Sequence, residues 1–179
     1  MTSVADLTTL STGLLIERLV FGVLMMAHST QKLFGWFGGY GIAGTAGYFE
    51  GLGFRPGRPY VLAASLSELI GGLLIALGLL GPVGPALVIS VMIVAAVTVH
   101  WSHGLFAGSN GIEVPLLYST ASLALALTGP GLYSLDAALD LAHLWSPGLV
   151  LMVVALGILG AVGNLLLRRP VPAAQSQAS

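Results

Sequence analysis

The chain has 179 residues, of which 56% are apolar and 7% charged, with a net charge of −1 and a mean hydropathy of +0.95. A water-soluble domain carries about a quarter charged residues, so this chain cannot cover an aqueous surface, and the bilayer is its expected solvent. The charge excludes a nucleic-acid partner, which needs a basic face. The lack of cysteine excludes disulfides, thiolate metal sites and covalent haem attachment.

Residues 1–11 contain Asp6 and no Lys or Arg. A secretory leader needs a positive start, so this stretch is expected to be a tail outside the membrane, followed by a retained span. A spanning helix needs about 20 mostly apolar residues, and five runs qualify: about Thr12–Phe34, Tyr60–Leu80, Gly84–His103, the shorter Glu113–Thr128, and Pro147–Leu167. The expected fold class is therefore all-α, a polytopic membrane helical bundle. Between the first two runs, Gly35–Pro59 is rich in glycine and reads as a lid folded onto the bundle, with a short interfacial helix near "YFEGLGF". Residues 170–179 are rich in Ala, Gln and Ser and are expected to form a disordered cytoplasmic tail.

Arg55 and Arg58 follow the first run, and Arg168 and Arg169 follow the fifth. Five crossings put both pairs on one side. The positive-inside rule makes that side cytoplasmic and the N-terminus external, in a plasma membrane. The parity depends on the short fourth run crossing. Trp36, Tyr40, Tyr60, Trp101, Tyr133 and Trp145 lie near span ends, where interfacial aromatics gather.

Ionisable side chains inside spans are rare and usually face the bundle interior. Here they are Glu17, Arg18, His28 and Lys32 in span one, Glu68 in span two, His100 and His103 at the end of span three, and Glu113 at the start of span four. At about 100° per residue, the four in span one fall within a sector of roughly 100°. Rises of about 1.5 Å per residue put Lys32, His28, Glu68, His100 and Tyr118 roughly 3 to 12 Å from the inner end of their spans. A charge-compensated polar pocket in the cytoplasmic half is the expected result, with Trp101 and Phe34 available to pack on a ring. Glu17 and Arg18 stand apart near the outer face, as candidates for an ion pair with other helices rather than with each other. Gly71 and Gly72, beside Glu68, would let helices approach closely. The alternatives at these positions are ordinary ones: Glu68 as an interhelical tether, Lys32 snorkelling to headgroups, and His103 and Glu113 as solvated flanks of the turn "GLFAGSNG".

"HSTQKLFGWFGGYGIAGTAGYFEGLGF", "SELIGGLLIALGL" and "GPGLYSLD" occur in order and resemble the motifs of the DoxX family, over about Leu15–Asp140. The resemblance implies a four-helix membrane domain, here residues 12–145, with residues 146–169 as an added fifth transmembrane helix. The family is named for a subunit associated with thiosulfate:quinone oxidoreductase. Some of its members are linked to a membrane oxidoreductase assembly with a superoxide dismutase and a sulfurtransferase. Carried over onto this chain, the motif residues are His28, Lys32, Gly35, Gly38, Gly39, Gly41 and Glu68.

Three functions compete. The first is a quinone-interacting membrane subunit of an oxidoreductase system, because an apolar slot flanked by His28 or His100 and Glu68 offers partners for quinone carbonyls and a way to exchange protons. The second is a small proton-coupled transporter, since buried carboxylates beside histidines also serve carriers. The third is a membrane anchor for soluble redox partners. No cofactor follows from the residues alone, and no metal site is expected. Quinone is the cofactor that suits the pocket. Haem is disfavoured, because His28 and His100 lie at different depths. Gly157, Gly160, Ala161 and Gly163 offer a small-residue face to other helices, including those of a homo-oligomer.

Overall fold

A computed structural model describes residues 4–169. The tail expected at residues 170–179 lies outside the described residues. Among the described residues, every regular element is helical.

Helix α1, Val4–Phe34, begins earlier than its apolar run. The hydroxyls of Thr8, Thr9 and Thr12 donate back to the carbonyls of Val4, Ala5 and Thr8, at 2.8 to 3.0 Å. They satisfy themselves on the helix instead of breaking it. Its 31 residues make α1 about 46 Å long, more than a hydrocarbon core of about 30 Å. Gly35 then turns with a positive φ of 73° into a short 3-10 turn, Trp36–Gly38. Helix α2, Gly41–Gly51, forms the lid. It covers more of the loop than "YFEGLGF" promised, because tertiary contacts hold its glycines helical against their propensity.

Helix α3, Gly57–Leu77, ends on Gly78 in the left-handed region. Gly78 and Leu79 donate to the carbonyls of Ile75 and Leu74 at 3.0 and 2.9 Å. Helix α4, Val83–Ala95, continues through a wide π-type turn, Ala96–His100, and a 3-10 turn to His103. Helix α5 is Glu113–Thr128. The four-residue α6, Leu135–Ala138, is capped by Ser134, and α7, Pro147–Leu166, is capped by Ser146. Among the described residues, α1, α3, the α4 unit and α7 are long and apolar enough to cross a membrane. The 16 residues of α5 reach only about 24 Å.

Helix α3 sits between α1 and α4. A Cβ on Gly72 would fall 2.7 Å from the Gly22 carbonyl oxygen, and one on Gly71 would fall 3.1 Å from that of Gly84. The glycine pair thus lets α3 touch one neighbour on each side. Leu14, Phe21, Met25, Ile75, Val88, Met92 and Leu125 fill the core between α1, α3, α4 and α5. Helix α7 packs on α4, where Ile89, Ala126, Val150 and Val154 form a second cluster. Gly157 lies against the carbonyl of Ala86, Gly160 faces Ser90, and Ala161 is buried. That part of the small-residue face therefore meets this chain's own α4. Leu151, Leu156 and Leu159 on the other side of α7 are exposed, as lipid-facing residues should be.

Helix α5 runs antiparallel to α1. Tyr118, near its start, stacks edge-on to Phe21 and His28, while Pro130, beyond its end, accepts from Arg18. Two ends of the bundle are thereby defined. The lid end holds the C-termini of α1, α4 and α7, the N-termini of α3 and α5, and α2. The far end holds the α3–α4 turn, α6 and the start of α7.

Candidate functional site at the lid end

Lys32, in the last turn of α1, pairs through Nζ with Oε1 of Glu68 on α3. The pairing follows from antiparallel neighbours whose glycine contact at Gly22 and Gly72 fixes the register. Next along the seam, the Ser29 hydroxyl donates to the Ser65 carbonyl at 2.7 Å. The Lys32 side chain is 27% exposed and that of Glu68 is 2% exposed. Glu68 Oε2 is buried without a hydrogen-bond partner, as is Ser65 Oγ. The carboxylate is thus held by one charge on one oxygen.

An apolar cavity of about 240 Å³ opens beside this pair, between α2, α3, α4 and α7. Phe49, Phe54 and Tyr60 form one wall, with ring centroids 6.0 and 5.1 Å apart in sequence. Val91, Val94 and Ala95 form another, and Lys32, His100 and Asn164 supply polar groups. His100 Nδ1 donates to the Asn110 carbonyl at 2.7 Å, which leaves Nε2 as the free nitrogen. A second recess, of about 500 Å³, lies between the end of α1 and the lid. Lys32, Tyr48 and Phe49 line both spaces. Burial raises the Tyr48 phenol above its usual range, so this lid hydroxyl keeps its proton.

The remaining sequence candidates are distributed as follows. Tyr118 lies within electrostatic reach of Glu68 and 6.1 Å, centroid to centroid, from His28. His28 is exposed, sits 3.3 Å from the Gln31 side-chain oxygen, and does not line the cavity with His100. Trp101 is 70% exposed and does not line the cavity either. Phe34 packs on Trp36 instead. Gly35, Gly38 and Gly41 adopt positive φ angles in the turn. Gly39 abuts the backbone of Gln31, and Gly38 and Gly39 line the recess. Glu113 closes its loop by accepting from the Ala107 amide at 2.7 Å. Among the described residues, no cluster of three His, Asp or Glu could hold a metal ion.

Glu17 and Arg18 stand apart from the lid-end site, and they do not pair with each other. Arg18 lies at the far end, 2% exposed, and its guanidinium donates to the carbonyls of Pro130 and Tyr133 at 2.7 and 2.5 Å. Glu17 is half-buried and is not its partner. The charge compensating Arg18 comes from Asp136, the last residue of the "GPGLYSLD" motif. Asp136 is 0% exposed. It accepts from the amides of Leu80 and Gly81 at 2.8 and 2.7 Å and from Trp145 Nε1 at 3.0 Å.

Sequence reasoning also missed the aromatic wall. Its signal was present in the spacing of Phe49, Phe54 and Tyr60 around the Gly51–Gly53 turn. A further link ties the fifth helix to the lid: Arg168 Nε donates to the Leu52 carbonyl at 2.5 Å, and the Arg169 amide donates to the Gly53 carbonyl at 2.9 Å.

Fold and site together define a polytopic helical membrane protein with a buried ion pair beside a lidded apolar cavity. The DoxX family model matches residues 13–101. The chain is also 32% identical, over 124 residues, to the Bacillus subtilis (strain 168) protein named "Putative oxidoreductase CatD", covering 69% of this chain and 84% of that one. The chain belongs to the DoxX family. No solved structure matches it. The family match ends at Trp101, so α5 and α7 lie beyond it.

Proposed function

We propose that this chain is a membrane subunit of an oxidoreductase system and that its lid-end cavity binds a quinone. The name of the Bacillus subtilis relative supports the first part. One observation carries the second: an apolar space of about 240 Å³ with Lys32 on one wall and His100 on another. A quinone ring needs apolar walls and a polar partner at each carbonyl. The Lys32 ammonium donates to one oxygen. With Nδ1 committed to Asn110, His100 Nε2 accepts from a hydroquinone hydroxyl when neutral and donates to a quinone carbonyl when protonated. The bound quinone supplies two-electron chemistry, and soluble or membrane redox proteins are the partners that exchange electrons with it. Arg55, Arg58, Arg168 and Arg169 all belong to the lid end, which we assign to the cytoplasmic side of the plasma membrane, with the N-terminus outside.

The test is solvent extraction of the protein purified from native membranes, with the extract read for quinone by absorbance. Quinone should be present at near-stoichiometric levels. It should be lost in Ala64→Phe, which fills the cavity, and depleted in Lys32→Met. Absence of quinone from the wild-type extract, together with no uptake of added quinone, would sink the reading. A buried Lys–Glu pair beside a cavity also suits a proton-coupled carrier. Solute flux in liposomes containing this chain alone would favour that second reading.

A further inference from the structure

Lys32 has one ammonium group and two places to use it. Its Nζ pairs with Glu68, yet its side chain remains partly exposed and lines both the cavity and the neighbouring recess. Glu68 has no such freedom. It is buried, Oε1 is held by Lys32, and Oε2 has no partner.

The groups around Glu68 cannot replace that lysine. On α1, His28 is turned to Gln31 and Tyr118. On α5, Tyr118 offers a phenol and no positive charge. On α3, Ser65 is a neutral hydroxyl. The lid contributes the phenol of Tyr48, across the cavity, and Glu50, which is committed to the Gly57 amide. On α4, His100 lies on the cavity wall and is bonded to Asn110. A carboxylate left unpaired among apolar helices neutralises itself by taking up a proton, because an isolated buried charge costs more than protonation.

We propose that Lys32 is shared between Glu68 and an oxygen-bearing ligand in the cavity, so that each ligand bound is accompanied by uptake of one proton on Glu68. The ligand class rests on the quinone reading above; the exchange of partners rests on the Lys32–Glu68 geometry. The proton comes from solvent and resides on the carboxyl oxygens, and no electron moves in this step. The ligand-bound state holds one more proton than the free state. Affinity therefore falls as pH rises, by about tenfold per unit within the coupled range.

The experiment uses the full chain in lipid nanodiscs, with two readouts. The first is infrared spectroscopy at neutral pH for the C=O band of a protonated carboxyl. Lys32→Met should show the band. The double variant Lys32→Met, Glu68→Gln should lack it, and so should the wild type stripped of ligand. Folded Lys32→Met without the band overturns the proposal. The second is calorimetric titration with decylubiquinone in buffers of differing ionisation enthalpy, which counts protons taken up. Wild type should take up at least one proton per molecule bound. Glu68→Gln, with Lys32 already released, should take up one proton fewer per molecule bound than wild type, and its affinity should vary correspondingly less with pH. Binding to wild type without proton uptake overturns the proposal. If decylubiquinone does not bind, the quinone reading fails, and the infrared result decides the lysine–glutamate exchange by itself.

Discussion

The two ends of the bundle each bury an acid and a base, and they treat them differently. At the far end, Asp136 takes three N–H donors and Arg18 gives to two carbonyls, leaving only Arg18 Nε without a partner. Those bonds fasten α1, the α3–α4 turn, the α5–α6 loop and the start of α7 to one another. At the lid end, Glu68 has one partner and one bare oxygen, and its lysine faces open space. Buried charge that is satisfied from several directions holds a fold together. Buried charge left with an unused acceptor oxygen beside a cavity is available for chemistry.

Substitutions can break this contrast. The largest effect is expected from Asp136→Ala, which strands two amides, the Trp145 indole N–H and the charge on Arg18. Thermal unfolding in detergent should show a loss of about 3–5 kcal/mol. Trp145→Phe removes one of those donors and should cost about 1 kcal/mol by the same assay. Glu68→Gln should cost about as much, because Lys32 is exposed enough to reach solvent once released. Were Glu68→Gln to unfold the protein as severely as Asp136→Ala, the lid-end pair would be a structural lock too, and the distinction would collapse. Trp101→Ala, at an exposed position, should stay within about 0.5 kcal/mol of wild type.

The spans were legible because their signal is local: a run long enough to cross the bilayer declares itself by length and hydropathy. The Lys32–Glu68 pair was legible for a related reason. In a chain with so few charges, each one inside an apolar run needs a partner, and helical geometry leaves few choices. What stayed hidden depended on backbone groups. Nothing in the side-chain pattern announces that Arg18 is received by the carbonyls of Pro130 and Tyr133, or that Asp136 gathers amides from a turn far away in sequence. The lid helix was read as mostly loop because "GIAGTAG" has poor helical propensity. Its stability comes from packing, seen in the burial of Thr45 and in the cap that Glu50 places on the Gly57 amide at 2.8 Å.

The bonds from Arg168 and Arg169 to Leu52 and Gly53 bear on how the protein should be handled at the bench. A purification handle or fluorescent fusion appended to the carboxyl end would be joined, ten residues on, to the residues that moor the turn after the lid helix. Changes in ligand retention seen with such a fusion would reflect tugging on that mooring as well as the chemistry of the site, so a reporter is better carried at the amino end.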